Sequence, residues 1–199
     1  DYVQPNIALQ DSQIDANFFQ HLPYLDDFNV ENNTDLVSLV AVHYEPLGIY
    51  AGKTASLADL QDGATVAVPN DTTNEARALL LLEANGLITI DPEAGVKATV
   101  TDITENPKNL KIVEVEAAQL PRSLPDVDIA VINGNYALAA DLLVSDALAI
   151  EEKESLAAET YANIVAIRRG DESREDLQAL AKAITSDKVR AFIEETYKG

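Results

Sequence analysis

The 199 residues carry 34 acidic against 14 basic side chains, a formal charge of −20 that repels phosphate backbones and anionic headgroups and argues against nucleic acid as a partner. With no cysteine, disulfides, thiol nucleophiles and cysteine-ligated metals are excluded, and no apolar run approaches the ~18 residues of a membrane span. Apolar residues at 47% suffice for the core of one large domain or two smaller lobes.

Along the chain, Phe19, His21 and Tyr24 follow the run Ile14–Asn17, and Pro23 marks the first turn of a new helix. The polar stretch Asp27–Asp35 reads as a surface turn. Strands are expected at Leu36–His43 and Gly48–Ala51, then a short helix from Ser56 through Leu57 and Leu60 to the stop at Gly63. A strand at Ala64–Val68 leads into a helix. There Thr72 and Glu75 have capping-box spacing, and Gly86 follows the last turn. Asp102–Asn109 reads as a second surface turn. Further strands are expected at Lys111–Glu114, Val127–Ile132 and Asn163–Ile167. Leu177, Leu180, Ala181 and Ile184 then fall at i, i+3, i+4, i+7, and a last helix starts near Ser186 with Val189, Phe192 and Ile193 inward. Short apolar strands alternating with amphipathic helices predict an α/β fold with mainly parallel sheets and flanking helices.

Taken residue by residue, the polar candidates stay open. Arg77 lies one turn into the helix after Pro69, where its planar fork and the helix dipole suit a carboxylate, though a surface salt bridge explains it as well. Asn133 follows a strand at a sheet edge and Asn163 opens one; each fits a ligand contact or a local cap. His21 and His43 lie in separate segments, so no acid–base constellation forms. Glu151 and Glu152 read as a solvated acidic face. No phosphate loop, zinc motif or nucleophile elbow is present, so no catalytic residue, metal site or cofactor is assigned.

Five phrases carry a resemblance: DYVQPNIAL at Asp1–Leu9, IDANFFQHLPYLD at Ile14–Asp26, VAVPNDTTNEARALLLLE at Val66–Glu83, ENPKNLKIVEVEAAQLPRSL at Glu105–Leu124 and AVINGNYA at Ala130–Ala137. Together the chain resembles the NlpA-type methionine-binding lipoproteins. The resemblance implies a two-lobed periplasmic-binding-protein-like type II fold with the ligand cleft between the lobes. Lobe I would be 1–52 and 163–199 and lobe II 53–162, with a strand and helix of lobe I expected before Asp1. It implies Tyr2, Phe19, His21, Tyr24, Asn74, Arg77, Asn133 and Asn163 as ligand-binding residues. Arg77 would take the carboxylate, the asparagines the polar ends, and the aromatic residues a thioether.

It further implies a monomer outside the bacterial cell membrane, tethered through an upstream lipid-carrying cysteine. That monomer would deliver methionine of either hand, or a related apolar amino acid, to an ABC permease and ATPase. An enzyme on the same scaffold lacks a partner for His21, and a sensing domain lacks a basic DNA-binding segment. A binding protein for another small solute, such as a short peptide, is the alternative within the same fold.

Overall fold

The computed structural model of the chain describes residues 2–152 and 160–197. It divides into two units: Asp1–Glu45 with Glu154–Gly199 (unit 1), and Pro46–Lys153 (unit 2). In chain order the described strands are β1 (Asn17–His21), β2 (Leu36–His43), β3 (Gly48–Ala51), β4 (Thr65–Pro69), β5 (Thr89–Ile90), β6 (Ile103–Glu105), β7 (Lys111–Val115), β8 (Ile129–Ile132), β9 (Ala149–Ile150) and β10 (Asn163–Arg168). The three helices that matter most for the candidate site are α1 (Gln4–Gln10), α2 (Leu22–Asn32) and α3 (Thr72–Ala84).

Unit 2 is built on a five-stranded sheet in the order β7-β4-β8-β3-β9. β4 runs parallel to β7 and β8, whereas β3 is antiparallel to both β8 and β9. Its core joins Ile49, Val66, Val68, Ile129 and Val131 to Ala78, Leu79 and Leu82 of α3. Each Leu or Ile so buried contributes roughly 1.5–3 kcal/mol. Where β3 ends, the backbone N–H of Gly52 donates to Asp128 O. A Cβ on Gly52 would collide with the backbone carbonyls of Val127 and Leu124, so the position needs glycine for close approach.

Unit 1 has a three-stranded sheet, β1-β10-β2, antiparallel throughout. β10 is buried on both faces. Ile164 and Ala166 pack with Leu9, Leu25 and Leu36, while Val165 and Ile167 face Leu177 of the helix Glu175–Ile184. The α/β class and flanking helices agree with the sequence reading, but the sheets are mixed rather than mainly parallel. A strand covered on both faces reads as one apolar run whichever way its neighbour runs.

Several local expectations need correcting. α2 extends to Asn32, so two thirds of Asp27–Asp35 is helical; its end is set by Asn33 in the left-handed region, at φ 52°. Residues 103–105 of the second expected turn form β6, paired with β5. The α3 cap is Asp71 rather than Thr72, and Glu75 turns away to accept from Val100 N–H at 2.9 Å. Phe192 is 66% exposed, not inward. Gly86 does terminate α3, with φ 69°.

Candidate functional site

Both units gather residues singled out in the sequence, and in each the local fold explains the grouping. In unit 2 the C-terminal ends of the parallel strands β4 and β8 lead into Asp71 and Asn133 respectively, the edge where open α/β sheets place ligands. Asp71 caps α3 by accepting from the Asn74 backbone N–H at 3.0 Å and from Asn74 Nδ2 at 2.8 Å. A carboxylate only accepts, so this contact fixes the Asn74 amide with its oxygen outward. That oxygen accepts from Asn133 Nδ2 at 2.9 Å. The chain of donors thus leaves Asn133 presenting Oδ1, a buried acceptor with no partner among the described residues. Asn133 is 6% exposed. An unsatisfied buried amide oxygen costs about 1–3 kcal/mol, which a donor arriving with a ligand would recover.

Arg77 lies one turn further along α3 than Asn74, on the same face. It is buried, and it pairs with Glu151: Nε donates to Oε1 at 2.7 Å and Nη2 to Oε2 at 2.5 Å. Glu151 is therefore no part of a solvated face. Its side chain is 7% exposed and that of Arg77 5%. Glu151 Oε2 also accepts from the Leu47 backbone N–H at 2.8 Å, and Glu151 N–H donates to Leu47 O at 3.0 Å. Arg77 and Glu151 stand 74 residues apart, so no local spacing signals the pair.

Burial pushes the carboxyls of Asp71 and Glu75 above their ordinary values despite the hydrogen bonds each accepts. The acidic neighbours Glu114, Asp71 and Asp102 raise Glu75 further.

Unit 1 collects the aromatic residues. β1 carries an irregularity between Phe18 and Gln20, which places Phe19 as the extra residue of a bulge against β10. Phe19 lies 5.8 Å from Tyr2 and 6.3 Å from Tyr24, ring centroid to centroid. His21 ends β1 and caps α2, its Nδ1 accepting from the Tyr24 N–H at 3.2 Å, which leaves the proton on Nε2 in the neutral ring. Tyr24 Oη donates to Tyr2 O at 3.2 Å. Asn163 stands in register between His21 of β1 and His43 of β2.

Tyr161, given no ligand role by the sequence reading, is buried and packs edge-on to His21 at 5.0 Å. A second omission lies beneath the cluster, where three buried carboxamides tie α1 to β1. Asn6 and Gln20 exchange hydrogen bonds at 2.8 and 2.7 Å, and Asn17 Nδ2 donates to Asn6 Oδ1 at 2.9 Å. They hold the strand that presents Phe19 and His21. Three polar residues closing on one another give no apolar pattern to read.

Among the described residues no group of three His, Cys, Asp or Glu is placed to hold a metal ion, and no helix is long and apolar enough to cross a membrane. The arrangement offers acceptors, a guanidinium and aromatic faces. Those are binding groups, without a nucleophile beside a base.

The chain is similar to known proteins along its whole length. The family model for the NlpA lipoproteins matches residues 1–199. A crystal structure of a Ruminococcus gnavus protein classed among lipoproteins superposes with a TM-score of 0.99 at 54% identity, covering 100% of this chain and 82% of that one. A nutrient-binding protein from Burkholderia cenocepacia, solved bound to methionine, gives 0.95 at 50% identity, covering 100% and 83%. The D-methionine-binding lipoprotein MetQ of Escherichia coli is 45% identical over 202 residues, covering 100% of this chain and 73% of its own length.

Proposed function

Because the chain belongs to the NlpA lipoprotein family, we propose that it is the substrate-binding component of an ABC importer and that it binds methionine. It works as a lipid-tethered monomer outside the cytoplasmic membrane and hands its ligand to a permease driven by an ATPase. No chemical step is involved.

The observation that carries the ligand class is the polar set of unit 2. A free amino acid brings a carboxylate and an ammonium, and burying either without a partner costs several kcal/mol. Arg77, near the positive end of α3, suits the carboxylate. The buried Oδ1 of Asn133, with no partner among the described residues, suits the ammonium. Asn74 holds Asn133 in that orientation. In unit 1, Asn163 is the carboxamide this reading assigns to the ligand's polar ends. Tyr2, Phe19, His21 and Tyr24 supply ring faces and edges for an apolar, polarizable side chain, and sulfur–aromatic contacts add about 0.3–1.5 kcal/mol each. The Burkholderia relative bound to methionine and the Escherichia coli D-methionine-binding lipoprotein support the same ligand.

The test is calorimetric titration of the full mature protein with methionine against the variants Arg77→Ala and Arg77→Lys. Each charge-assisted hydrogen bond to the carboxylate is worth about 1.5–3 kcal/mol, so loss of the fork should weaken binding by about a hundredfold or more. The lysine variant keeps a cation beside Glu151 and separates loss of the fork from loss of charge. Affinity within threefold of wild type in both variants would remove Arg77 from the site.

A further inference from the structure

Asn17 and Gln20 stand three apart on β1, yet they oppose Ala166 and Ile164, which stand two apart on β10. Opposed residues of an antiparallel pair share a face, and Ile164 and Ala166 pack with Leu9 of α1 and Leu25 of α2. In an unbroken strand, residues three apart point to opposite faces. Asn17 and Gln20 therefore both reach Asn6 of α1 only because Phe19 is inserted between the paired residues. Gln20 makes the most of this placement. Its Nε2 donates to Asn6 Oδ1 at 2.7 Å and to Asn17 Oδ1 at 3.0 Å, and its Oε1 accepts from Asn6 Nδ2 at 2.8 Å. Asn17 Nδ2 also donates to Pro5 O at 3.2 Å, a second tie to α1.

We infer that Gln20 is a positioning residue for the aromatic half of the site: by locking the bulge it fixes Phe19 and so sets which amino-acid side chain is accepted. A one-residue slip would bring Phe19 opposite Ile164, on the face of Leu9 and Leu25, where a ring is welcome, and would turn Gln20 to the other face. Apolar patterning does not oppose that slip. The buried carboxamide bonds do, because breaking them strands polar groups away from water. The same bonds join two segments that each carry rings, since Asn6 lies four residues after Tyr2 and Gln20 lies between Phe19 and His21. Tyr2 and Phe19 meet at 5.8 Å across the junction, and His21 passes the constraint to Tyr24 by capping α2. The ring faces are thus prepared before a ligand arrives. This inference rests on the methionine reading above, in which Arg77 and Asn133 of the other unit take the carboxylate and ammonium, so loosening β1 acts on the ligand's side chain.

The experiment compares the affinity of the full mature protein for methionine and for 2-aminobutanoate, which is methionine without its methylthio group. Wild type should prefer methionine by about a hundredfold, the product of two methylene-sized contacts. Gln20→Met, verified as folded by circular dichroism, keeps the length of the side chain without its hydrogen bonds. It should narrow the ratio at least ~tenfold while 2-aminobutanoate affinity stays within about threefold of wild type. A merely structural role would weaken both ligands alike and leave the ratio unchanged, which would overturn the inference.

Should Gln20→Met not fold, the double variant Asn6→Leu with Gln20→Leu replaces both partners by apolar groups, and it should narrow the ratio in the same way. A wild-type ratio kept by that variant would sink the inference. Wild type itself supplies a further check: without ligand, the side-chain amide protons of Asn6 and Gln20 should exchange at least ~tenfold more slowly than those of exposed Gln13. Equal exchange would show the lock to be open and would overturn it. If wild type bound methionine no better than 2-aminobutanoate, or bound neither, the methionine reading itself would fall, and this inference with it.

Discussion

Replacing Glu151 by alanine should be among the most damaging single changes in unit 2. The substitution takes from Arg77, whose side chain is 5% exposed, its bonds at 2.7 and 2.5 Å, and from the Leu47 N–H its 2.8 Å acceptor. Breaking a buried ion pair from one side costs about 3–5 kcal/mol, against about 5–15 kcal/mol for the whole stability of a domain. For a chain of this size that is a fall in Tm on the order of 10 °C. Urea unfolding followed by circular dichroism at pH 7, without ligand, measures it.

The same physics makes a second, less obvious demand. Replacing both partners with apolar residues, as in Arg77→Met with Glu151→Leu, should recover most of the loss, because the desolvation cost of two charges disappears with the pair. A cost below about 1 kcal/mol for Glu151→Ala, the range of exposed pairs, would refute the reasoning. So would a double variant as unstable as the sum of its single variants.

Two further outcomes follow from the packing and the titrating groups. Gly52→Ala should cost about 1–3 kcal/mol, because the new methyl meets the Val127 and Leu124 carbonyls; an unchanged urea midpoint would show that this turn can give way. Asp71 and Glu75 have carboxyl pKa values raised by burial, so the folded state holds their protons more tightly than the unfolded chain. Their contribution to stability is full below the unfolded values near 4 and is lost as pH rises through the raised folded values. Asp15, Asp102, Asp128 and Asp176, all lowered by hydrogen bonds or arginines, act the other way, and their contribution disappears only as pH falls below 3.8. Asp71→Asn, which keeps a cap acceptor, should therefore gain on wild type as pH rises through the raised folded value of Asp71; a stability difference independent of pH from acid to neutral would contradict this.

What the sequence revealed and what it hid divide along a physical line. β2 and β3 were readable to the residue because continuous apolar runs end at polar or turn residues, and the end of α3 because Gly86 takes a positive φ. β1 was not, since Asn17 and Gln20 are buried by pairing with Asn6 rather than by being apolar. Strand direction was misjudged for a related reason: burial on both faces erases alternation without fixing whether a neighbour runs parallel.

At the site, Arg77, Asn74 and Asn133 stood out by residue type and by position at helix starts and strand ends. The chain of hydrogen bonds from Asn133 through Asn74 to Asp71 is partly local and so partly foreseeable. Glu151 was dismissed among 34 acids, because its significance lies wholly in a partner on a distant helix. Tyr161 was passed over in the same way, its partner His21 being distant in sequence.

The central claim, that this protein carries methionine, is tested most directly by thermal unfolding of the full mature protein against the twenty amino acids, D-methionine and methionine dipeptides. Ligand at a hundredfold excess over its Kd adds about 2.7 kcal/mol, a rise of several degrees. The account predicts a selective rise with L- or D-methionine, whichever hand the site takes. No rise with either hand, or a larger rise with a chemically unrelated amino acid, would contradict it.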